Sequence, residues 1–586
     1  MICGGLLRKS CLVFGYSVVS AGCMKIKPVF VGIAVLGMLL LLLSLSTVAK
    51  VLGASPRSVL AGVKTQPLAV SLLPKRSPAF ISFLVNPDKL GLFTQLAAQP
   101  SDRADVRHEL DNLKQQLRQN WLLDYERDVK TWLDQEITLA VTDLDLDNQP
   151  ANGLQSGYLL AFVAKDVDLA KTTIADFWQR LALNGSDLGF EQYQGVSILS
   201  TSVINDKPTI AGTTLGKFVL FANDPKVLRQ VINDLQSPSL ALTSLDSYRD
   251  RIAQIDTGKI AIAYVNLGEL GEEISKESLL MSLSFDKAGI RAKTLLAPEN
   301  SDKLAAKAES IDHKLTKPKS SQKSTANIAK AIPSGSSLII GNNLDKTLQS
   351  LQDSLSLEWQ KAITKTILGN TDIQFDRSSL AWAQDDYAIA LLPKPNSDPD
   401  WLLVAKVKDA KNSETAIAAF DDLARTKLTV GDILLESQPI KVWTKLTAIP
   451  TSSDLGVSGT VVAAHAQTPN YIYLSNSLTV LKSALTLQDK QAIANSKNFK
   501  TIAAKLPSDR QTYGYIDKNF DLSWLKTSLP NLLSNLLPNS DGINKISQTI
   551  DSSPLRQIFK HLDIVSFAST SDKASIENGE LFLLLK

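Results

Sequence analysis

The stretch that decides the fold is YLLAFVAKDVDLAKTTIADF, residues 158–177, because the same pattern occurs a second time in the chain. The counterpart, WLLVAKVKDAKNSETAIAAF, covers residues 401–420. In the first copy a short apolar run ends just before Asp166, which can cap a following helix. The helical residues that recur four apart, and that we expect on one buried face, are Leu169, Thr173, Phe177 and Leu181. The stretch therefore predicts a strand followed by an amphipathic helix.

Four further blocks recur in the same order. In the first half they begin at Leu73, Trp132, Lys217 and Ile260, and in the second half at Ile332, Trp382, Asn470 and Thr512. The shift of roughly 250 residues is far longer than the period of a solenoid repeat. Five collinear matches indicate a duplication, in which Trp132 corresponds to Trp382 and Phe177 to Phe420.

The segment between the copies is rich in Lys, Ser and Ala and nearly free of large apolar residues, which predicts a solvated linker. The predicted organisation is a leader (1–27), a transmembrane helix or signal anchor (28–49), a tether (50–69), a first repeat (70–298), the linker (299–330) and a second repeat (331–586).

Turn signals between short apolar runs predict hairpins. One such pair, Leu283–Phe285 and Ile290–Leu296, is separated by a polar turn, and a similar pair closes the chain. Asp224-Pro225 is typical of a helix start, and the apolar stripe that follows it is Val227, Leu228, Val231, Ile232 and Leu235. The predicted fold class is α+β: an N-terminal transmembrane helix followed by two tandem repeats of an antiparallel-sheet-plus-helices domain.

The N-terminal region predicts a membrane anchor. Residues 29–48 carry no charge over twenty positions, enough for a helix to cross one bilayer core. A short basic leader before this run predicts a single-pass protein with an extracytoplasmic body. Met24 is an alternative start, Thr47-Val48-Ala49 offers a signal-cleavage site, and Cys23 faintly resembles a lipoprotein cysteine.

Composition excludes several classes of protein. The 62 Lys and Arg residues against 59 Asp and Glu leave a net charge of +3, too balanced for a nucleic-acid binder. All three cysteines (Cys3, Cys11 and Cys23) precede the apolar run, so the body contains no disulfide, thiolate nucleophile or cysteine-ligated zinc.

Catalytic motifs are missing from the sequence. The four histidines (His108, His313, His465 and His561) are isolated, and no G-x-S-x-G is present. Residues 212–217, GTTLGK, fall short of a phosphate loop and are expected to form a strand, a turn and a strand. We therefore expect no enzymatic activity and no cofactor.

One acidic cluster is a weak calcium candidate. Asp143, Asp145 and Asp147 alternate with leucines, but the loop has Asn148 and Leu154 where a calcium loop needs Gly and Glu. An edge strand that enters an acidic turn explains the same pattern and is the favoured interpretation.

The repeated blocks resemble a bacterial family known as domain of unknown function 3352. The residues that carry the resemblance are Leu73-Pro74 with PAFISFLVNPDKL, DVKTWLDQEITLAV at 128–141, and the strand–helix unit from Leu159. The resemblance covers nearly all of residues 70–586 and implies membrane-anchored, extracytoplasmic, often cyanobacterial proteins. A cyanobacterial source would place the body in the periplasm or in a thylakoid lumen. It brings no functional residues.

The predicted function is that of a non-catalytic, membrane-tethered interaction or assembly protein with a protein partner. A duplicated body supplies two similar faces, which suits the gripping of a partner. The alternatives are a carrier or sensor of an apolar ligand, which requires a large apolar pocket, and an unrecognised hydrolase, which requires convergent carboxylates in a cleft.

Overall fold

The residues described by the computed structural model are 66–88, 111, 114–115, 117–149, 155–201, 209–255, 259–269, 277–286, 289–298, 327–344, 382–394, 397–450, 455–507, 510, 512–517, 562–571 and 577–585. Within these ranges no helix has the length and apolarity needed to cross a bilayer. The predicted anchor (residues 29–48) and most of the predicted linker lie outside the described residues.

The first half contributes ten strands. They are β1 (Ala79–Phe83), β2 (Leu133–Asp143), β3 (Gly157–Ala164), β4 (Leu188–Tyr193), β5 (Val196–Thr201), β6 (Ala211–Leu215), β7 (Phe218–Ala222), β8 (Lys259–Asn266), β9 (Glu277–Asp286) and β10 (Gly289–Pro298). Their pairings give the spatial order β4-β5-β6-β7-β3-β2-β1-β8-β9-β10.

The second half contributes ten more. They are β11 (Ser337–Asn342), β12 (Asp386–Lys394), β13 (Ser397–Lys406), β14 (Thr429–Leu435), β15 (Gln438–Pro450), β16 (Leu455–Gln467), β17 (Tyr471–Ser475), β18 (Thr512–Asp517), β19 (Leu562–Ser571) and β20 (Glu577–Leu585). Their order, β14-β15-β16-β17-β13-β12-β11-β18-β19-β20, repeats that of the first half strand for strand.

The two halves join through β10 and β20, which pair antiparallel from Gly289↔Leu584 to Leu296↔Glu577. Across this seam Thr294 Oγ1 donates to the Gly579 carbonyl at 3.2 Å, and Arg291 forms an ion pair with Glu580 at 3.2 Å. A side chain at Gly579 would overlap the Thr294 hydroxyl, so the close approach requires glycine. The described strands thus form one 20-stranded sheet in which every pairing is antiparallel, with local twofold pseudosymmetry at the seam.

Helices cover both faces of this sheet. The helices with defined bounds are α1 (Val167–Leu183), α2 (Pro225–Gln236), α3 (Asp246–Ala253), α4 (Ala410–Arg425), α5 (Leu478–Leu485) and α6 (Lys497–Ala503). In the first half α2 and α3 share a core with one face of the sheet, and α1 shares a core with the opposite face. The second half has the same division. Successive residues of a strand face opposite sides, so the run LLAFVA in β3 is buried on both.

The predicted capping and burial of the helices hold in part. Asp166 accepts the Leu169 amide, and Asp224 accepts the Lys226 amide, as N-caps do. Phe177 is buried, but Leu169 is 41% exposed, because α1 turns Ala170, Ile174 and Trp178 inward instead. On α2 Leu235 is exposed, although the stripe predicted that it would be buried, and Asp234 is buried beside the stripe.

The predicted fold class is wrong. The described residues are mostly one large antiparallel sheet with few helices, and none of those helices could span a membrane. The prediction treated each half as a sheet-plus-helices domain of its own. It failed because the last strand of each half, β10 or β20, lies at the edge of that half's strand order. These two edge strands pair with each other and join the halves into one sheet.

Equivalent blocks do occupy equivalent places in the strand order. Trp132 and Trp382 are both buried just before β2 and β12, and Phe177 and Phe420 are both buried on α1 and α4. A shared hydrogen bond marks the same equivalence: the amides of Tyr158 and Trp401 donate to Asn223 Oδ1 and Asn476 Oδ1 at 2.7 and 2.8 Å. The two halves therefore match in side-chain detail as well as in strand order.

We predict that Phe177→Ala and Phe420→Ala each lower the free energy of unfolding by about 3–5 kcal/mol, because each leaves a cavity in a packed aromatic cluster. Urea denaturation of the two variants measures this loss. Phe190→Ala is the control, since Phe190 is 68% exposed on edge strand β4 and should change stability by less than about 0.5 kcal/mol. A loss below about 1 kcal/mol at Phe177 or Phe420 would contradict the packing described.

Candidate functional site

A cleft lies in the second repeat, between the segment before β11 and the turn that joins β16 to β17. Its volume is about 780 Å³. We call it the charged cleft, and its lining residues are Asn327, Ile328, Lys330, Ala331, Asn342, Asp385, Asp386, Lys406, Thr468, Pro469, Asn470, Tyr471, Tyr473, Ala484, Leu485 and Leu487. A smaller cleft of about 360 Å³ lies at the seam, lined by Gln254, Lys293, Pro507, Asn578 and Glu580.

The acidic part of the charged cleft is built where β11, β12 and β13 lie side by side. Asn342 Nδ2 donates to Asp385 Oδ1 at 3.4 Å and to Asp386 Oδ1 at 3.2 Å. Lys406 Nζ lies 3.5 Å from Asp385 Oδ2 and 3.9 Å from Asp386 Oδ2. These are long contacts for charge-assisted hydrogen bonds, which are usually about 2.7–2.9 Å. Two carboxylates thus share one ammonium group.

Tyrosines form an aromatic wall of the cleft. Tyr471 and Tyr473 follow each other on one face of β17, with ring centroids 6.2 Å apart in an edge-to-face arrangement. Tyr471 Oη donates to the Asn327 carbonyl at 3.4 Å. Burial raises the pKa of Tyr473 to about 12 and raises the pKa of Tyr471 as well. Both phenols therefore stay neutral at physiological pH.

At the equivalent position the first repeat has a buried carboxylate, bound to backbone amides, where the second has the charged cleft. Strand register equates Asp386 with Glu136, whose carboxylate accepts the Leu68 and Ala69 amides at 2.8 Å each. Burial outweighs these hydrogen bonds and raises the pKa of Glu136. The counterparts of Lys406, Asn342 and Tyr471 are buried apolar residues, namely Val163, Leu84 and Phe218. At these three positions the first repeat is apolar and the second is polar or charged.

A buried ionisable pair is the second polar feature of this repeat. On α4, Asp421 Oδ1 accepts hydrogen bonds of 2.8 Å from His465 Nε2 and from Trp443 Nε1. Burial by itself would raise the pKa of Asp421, but the hydrogen bond and charge of His465 and the Trp443 hydrogen bond hold it below the usual value. The pair lies in the core, with side-chain exposures of 2% and 6%.

The first repeat fills the same space with a different pair. Trp178 corresponds to Asp421 and Gly212 to His465, and a side chain at Gly212 would overlap the Trp178 ring. In the first repeat the large Trp178 side chain packs on a glycine. In the second repeat an aspartate and a histidine fill the same space together. Of the four histidines only His465 is described, and its isolation in the sequence gave no signal of this carboxylate partner, which is 44 residues away.

The acidic cluster at residues 143–147 forms a turn. Asp143 Oδ1 accepts the Asp145 amide at 2.9 Å, and Asp147 Oδ1 accepts the Gln149 amide at 3.0 Å. Asp145 Oδ1 accepts the Gln155 amide at 3.4 Å. Among the described residues no three acidic, histidine or cysteine side chains are grouped as a metal site would need. The carboxylates bind backbone amides, as the acidic-turn interpretation requires, and calcium binding stays a prediction.

The near-phosphate-loop at 212–217 is the predicted strand–turn–strand. Residues 211–215 form β6, Gly216 turns the chain with a φ of 57°, and β7 begins at Phe218. No helix follows the loop, so it lacks the helix N-terminus that cradles a phosphate.

Comparison with known proteins finds one family. A family model described as "Protein of unknown function (DUF3352)" matches residues 33–585. Neither a curated protein nor a solved structure matches the chain.

We predict that Asp421→Asn lowers the free energy of unfolding at pH 7 by about 2–4 kcal/mol, because it removes the charge that the buried His465 and Trp443 donors face. The folded-state pKa lies below the unfolded one, so the wild-type advantage is present above about pH 4 and is lost as the pH falls through the folded value. Denaturant unfolding at pH 7 and pH 3 measures both. Asp422→Asn, at an exposed neighbour, should have almost no effect.

We predict the opposite pH dependence for Asp234, which is buried on α2 and whose Oδ2 has no hydrogen-bond partner. Burial raises its pKa to about 6, so the folded protein loses stability as the pH rises through this value. Asp234→Asn should therefore raise the free energy of unfolding by about 1–2 kcal/mol at pH 8 and hardly at all at pH 4. Asp168→Asn, at a fully exposed site, is the control; an equal gain at both pH values would contradict the burial argument.

Proposed function

This chain belongs to the DUF3352 family of proteins of unknown function, and we propose that it is a non-catalytic interaction protein whose second repeat carries the recognition site. The charged cleft is that site. The first repeat and the shared sheet act as the scaffold that holds it. An extracytoplasmic location belongs to the same proposal and stays a prediction from the leader sequence; the periplasm and a thylakoid lumen are the two compartments that the family resemblance implies.

The observation that carries the proposal is the difference between two copies of one fold. Val163 and Leu84 are 3% and 2% exposed, whereas their counterparts Lys406 and Asn342 line an open cleft. Polar side chains at positions that the fold can fill with apolar ones forfeit burial energy, about 1.5–3 kcal/mol for each large side chain. A binding role for the cleft accounts for that loss.

The arrangement supports binding better than the two alternatives. A carrier of an apolar ligand requires an apolar cavity, but the lining of this cleft includes two lysines and two aspartates. A hydrolase built on the Asp421–His465 pair requires access for a substrate, and both side chains are buried in the core.

We predict that a photo-crosslinking amino acid at position 470, in the turn at the cleft's mouth, captures a defined protein partner when the full chain is expressed in its native cells. Because an interaction protein should engage its partner through this cleft, the adduct should fall at least about tenfold in a background carrying Asp385→Asn. Gel shift and mass spectrometry measure the adduct.

The matched control places the same amino acid at Lys217, which corresponds to Asn470 in the first repeat. An equal yield at positions 217 and 470, or an adduct insensitive to Asp385→Asn, would remove the cleft from the interaction.

A further inference from the structure

We propose that the charged cleft accepts a basic side chain, arginine or lysine, from the partner protein. This inference rests on the proposed function and specifies the chemistry of the bound group. It comes from the local charge at Asp385 and Asp386, the long contacts of Asp385 and the aromatic wall of the cleft.

The charge of the acidic part favours a cation. Asp385, Asp386 and Lys406 together carry a formal charge of −1 at pH 7, and they are close enough to act as one group. Lys330 also lines the cleft, so the cleft as a whole is formally neutral and the negative charge is local to this cluster. The carboxylates are the less exposed members, with side-chain exposures of 25% and 12% against 48% for the lysine. A ligand that enters from solvent therefore passes the exposed end of Lys406 before it reaches the two carboxylates.

The contacts of Asp385 leave room for a better donor. Its carboxylate lies 3.4 Å from Asn342 Nδ2 and 3.5 Å from Lys406 Nζ, both longer than a charge-assisted hydrogen bond. A guanidinium group presents a planar fork of donors that matches a carboxylate in two places at once. Asp385 is therefore the anchoring residue that we assign.

The tyrosine wall suits the rest of a long basic side chain. Tyr471 and Tyr473 line the cleft together with Ala484 and Leu485, which offers apolar contact to a methylene stem. A cation near a neutral tyrosine ring gains a further cation–π attraction. The first repeat has Gln135 and Val163 where the second has Asp385 and Lys406, so it lacks this charge pattern.

The test measures binding of two peptides to the purified chain by calorimetry. The peptides are acetyl-Ala-Arg-Ala-Ala-amide and the same sequence with citrulline, a neutral isostere of arginine. We expect the arginine peptide to bind at least about tenfold more tightly than the citrulline peptide.

Three variants distinguish recognition from a general charge effect. Asp385→Asn should weaken the arginine peptide at least about tenfold and remove the preference over citrulline. Lys406→Met should tighten it by about three- to tenfold, because the competing ammonium is gone. Gln135→Ala, the matched change in the first repeat, should have no effect, and circular dichroism verifies that each variant is folded.

Equal binding of the two peptides, no binding up to about 5 mM, or weaker binding to Lys406→Met would overturn the assignment of a basic ligand. A crosslinked partner at position 470 that still depends on Asp385 would in that case leave the interaction role standing. Loss of both results would overturn the two proposals together.

Discussion

The pairing of β10 with β20 is the constraint on which the rest of the molecule depends. An antiparallel sheet must satisfy the backbone donors and acceptors of its edges, and an unpaired edge strand invites pairing with another chain. Each repeat alone would expose such an edge, because its last hairpin lies at the end of its strand order. Joining the two edges makes a contact between like surfaces within one chain, as in a twofold dimer. In the described residues the remaining edges are β4 and β14, at the two far ends of the sheet.

This joint also explains how the repeats could diverge. Each repeat keeps its own cores on both faces of the sheet, so a change in one core does not disturb the other. The same space in the core is filled by Trp178 and Gly212 in the first repeat and by Asp421 and His465 in the second. Each pair packs within its own repeat. The same independence allows the closed site at Glu136 and the open cleft at Asp386 to coexist in one sheet.

The sequence predicts local structure better than assembly. The hairpins, the caps at Asp166 and Asp224, and the correspondence of Trp132 with Trp382 follow from short-range patterns and from the repeat. The seam depends on backbone groups that carry no sequence signal of their partner, so the continuous sheet was missed. Burial of Asp234 and exposure of Leu235 also differ from the predicted stripe. Asp234 lies three residues after Val231, on the face that the apolar residues define, so helical spacing buries it although its side chain is polar. The cleft was missed for a different reason: its residues are distant in sequence and become notable only against their counterparts in the other repeat.

Comparison of the two repeats shows which side chains the same backbone position accepts, and a single domain does not give this information. In one copy alone, a lysine beside two aspartates on a half-exposed surface would be an ordinary ion pair, worth little to stability. Here the other copy shows that the same backbone accommodates buried Val163, Leu84 and Phe218 at the corresponding places. Neither fold nor strand register therefore requires the polar side chains of Lys406, Asn342 and Tyr471 in the second copy, although both copies keep a carboxylate at the position of Glu136 and Asp386. Proteins commonly give up stability where a binding or catalytic role demands it. The first repeat thus serves as an internal reference for the second, and the positions at which the two differ in charge are the ones where function is to be sought.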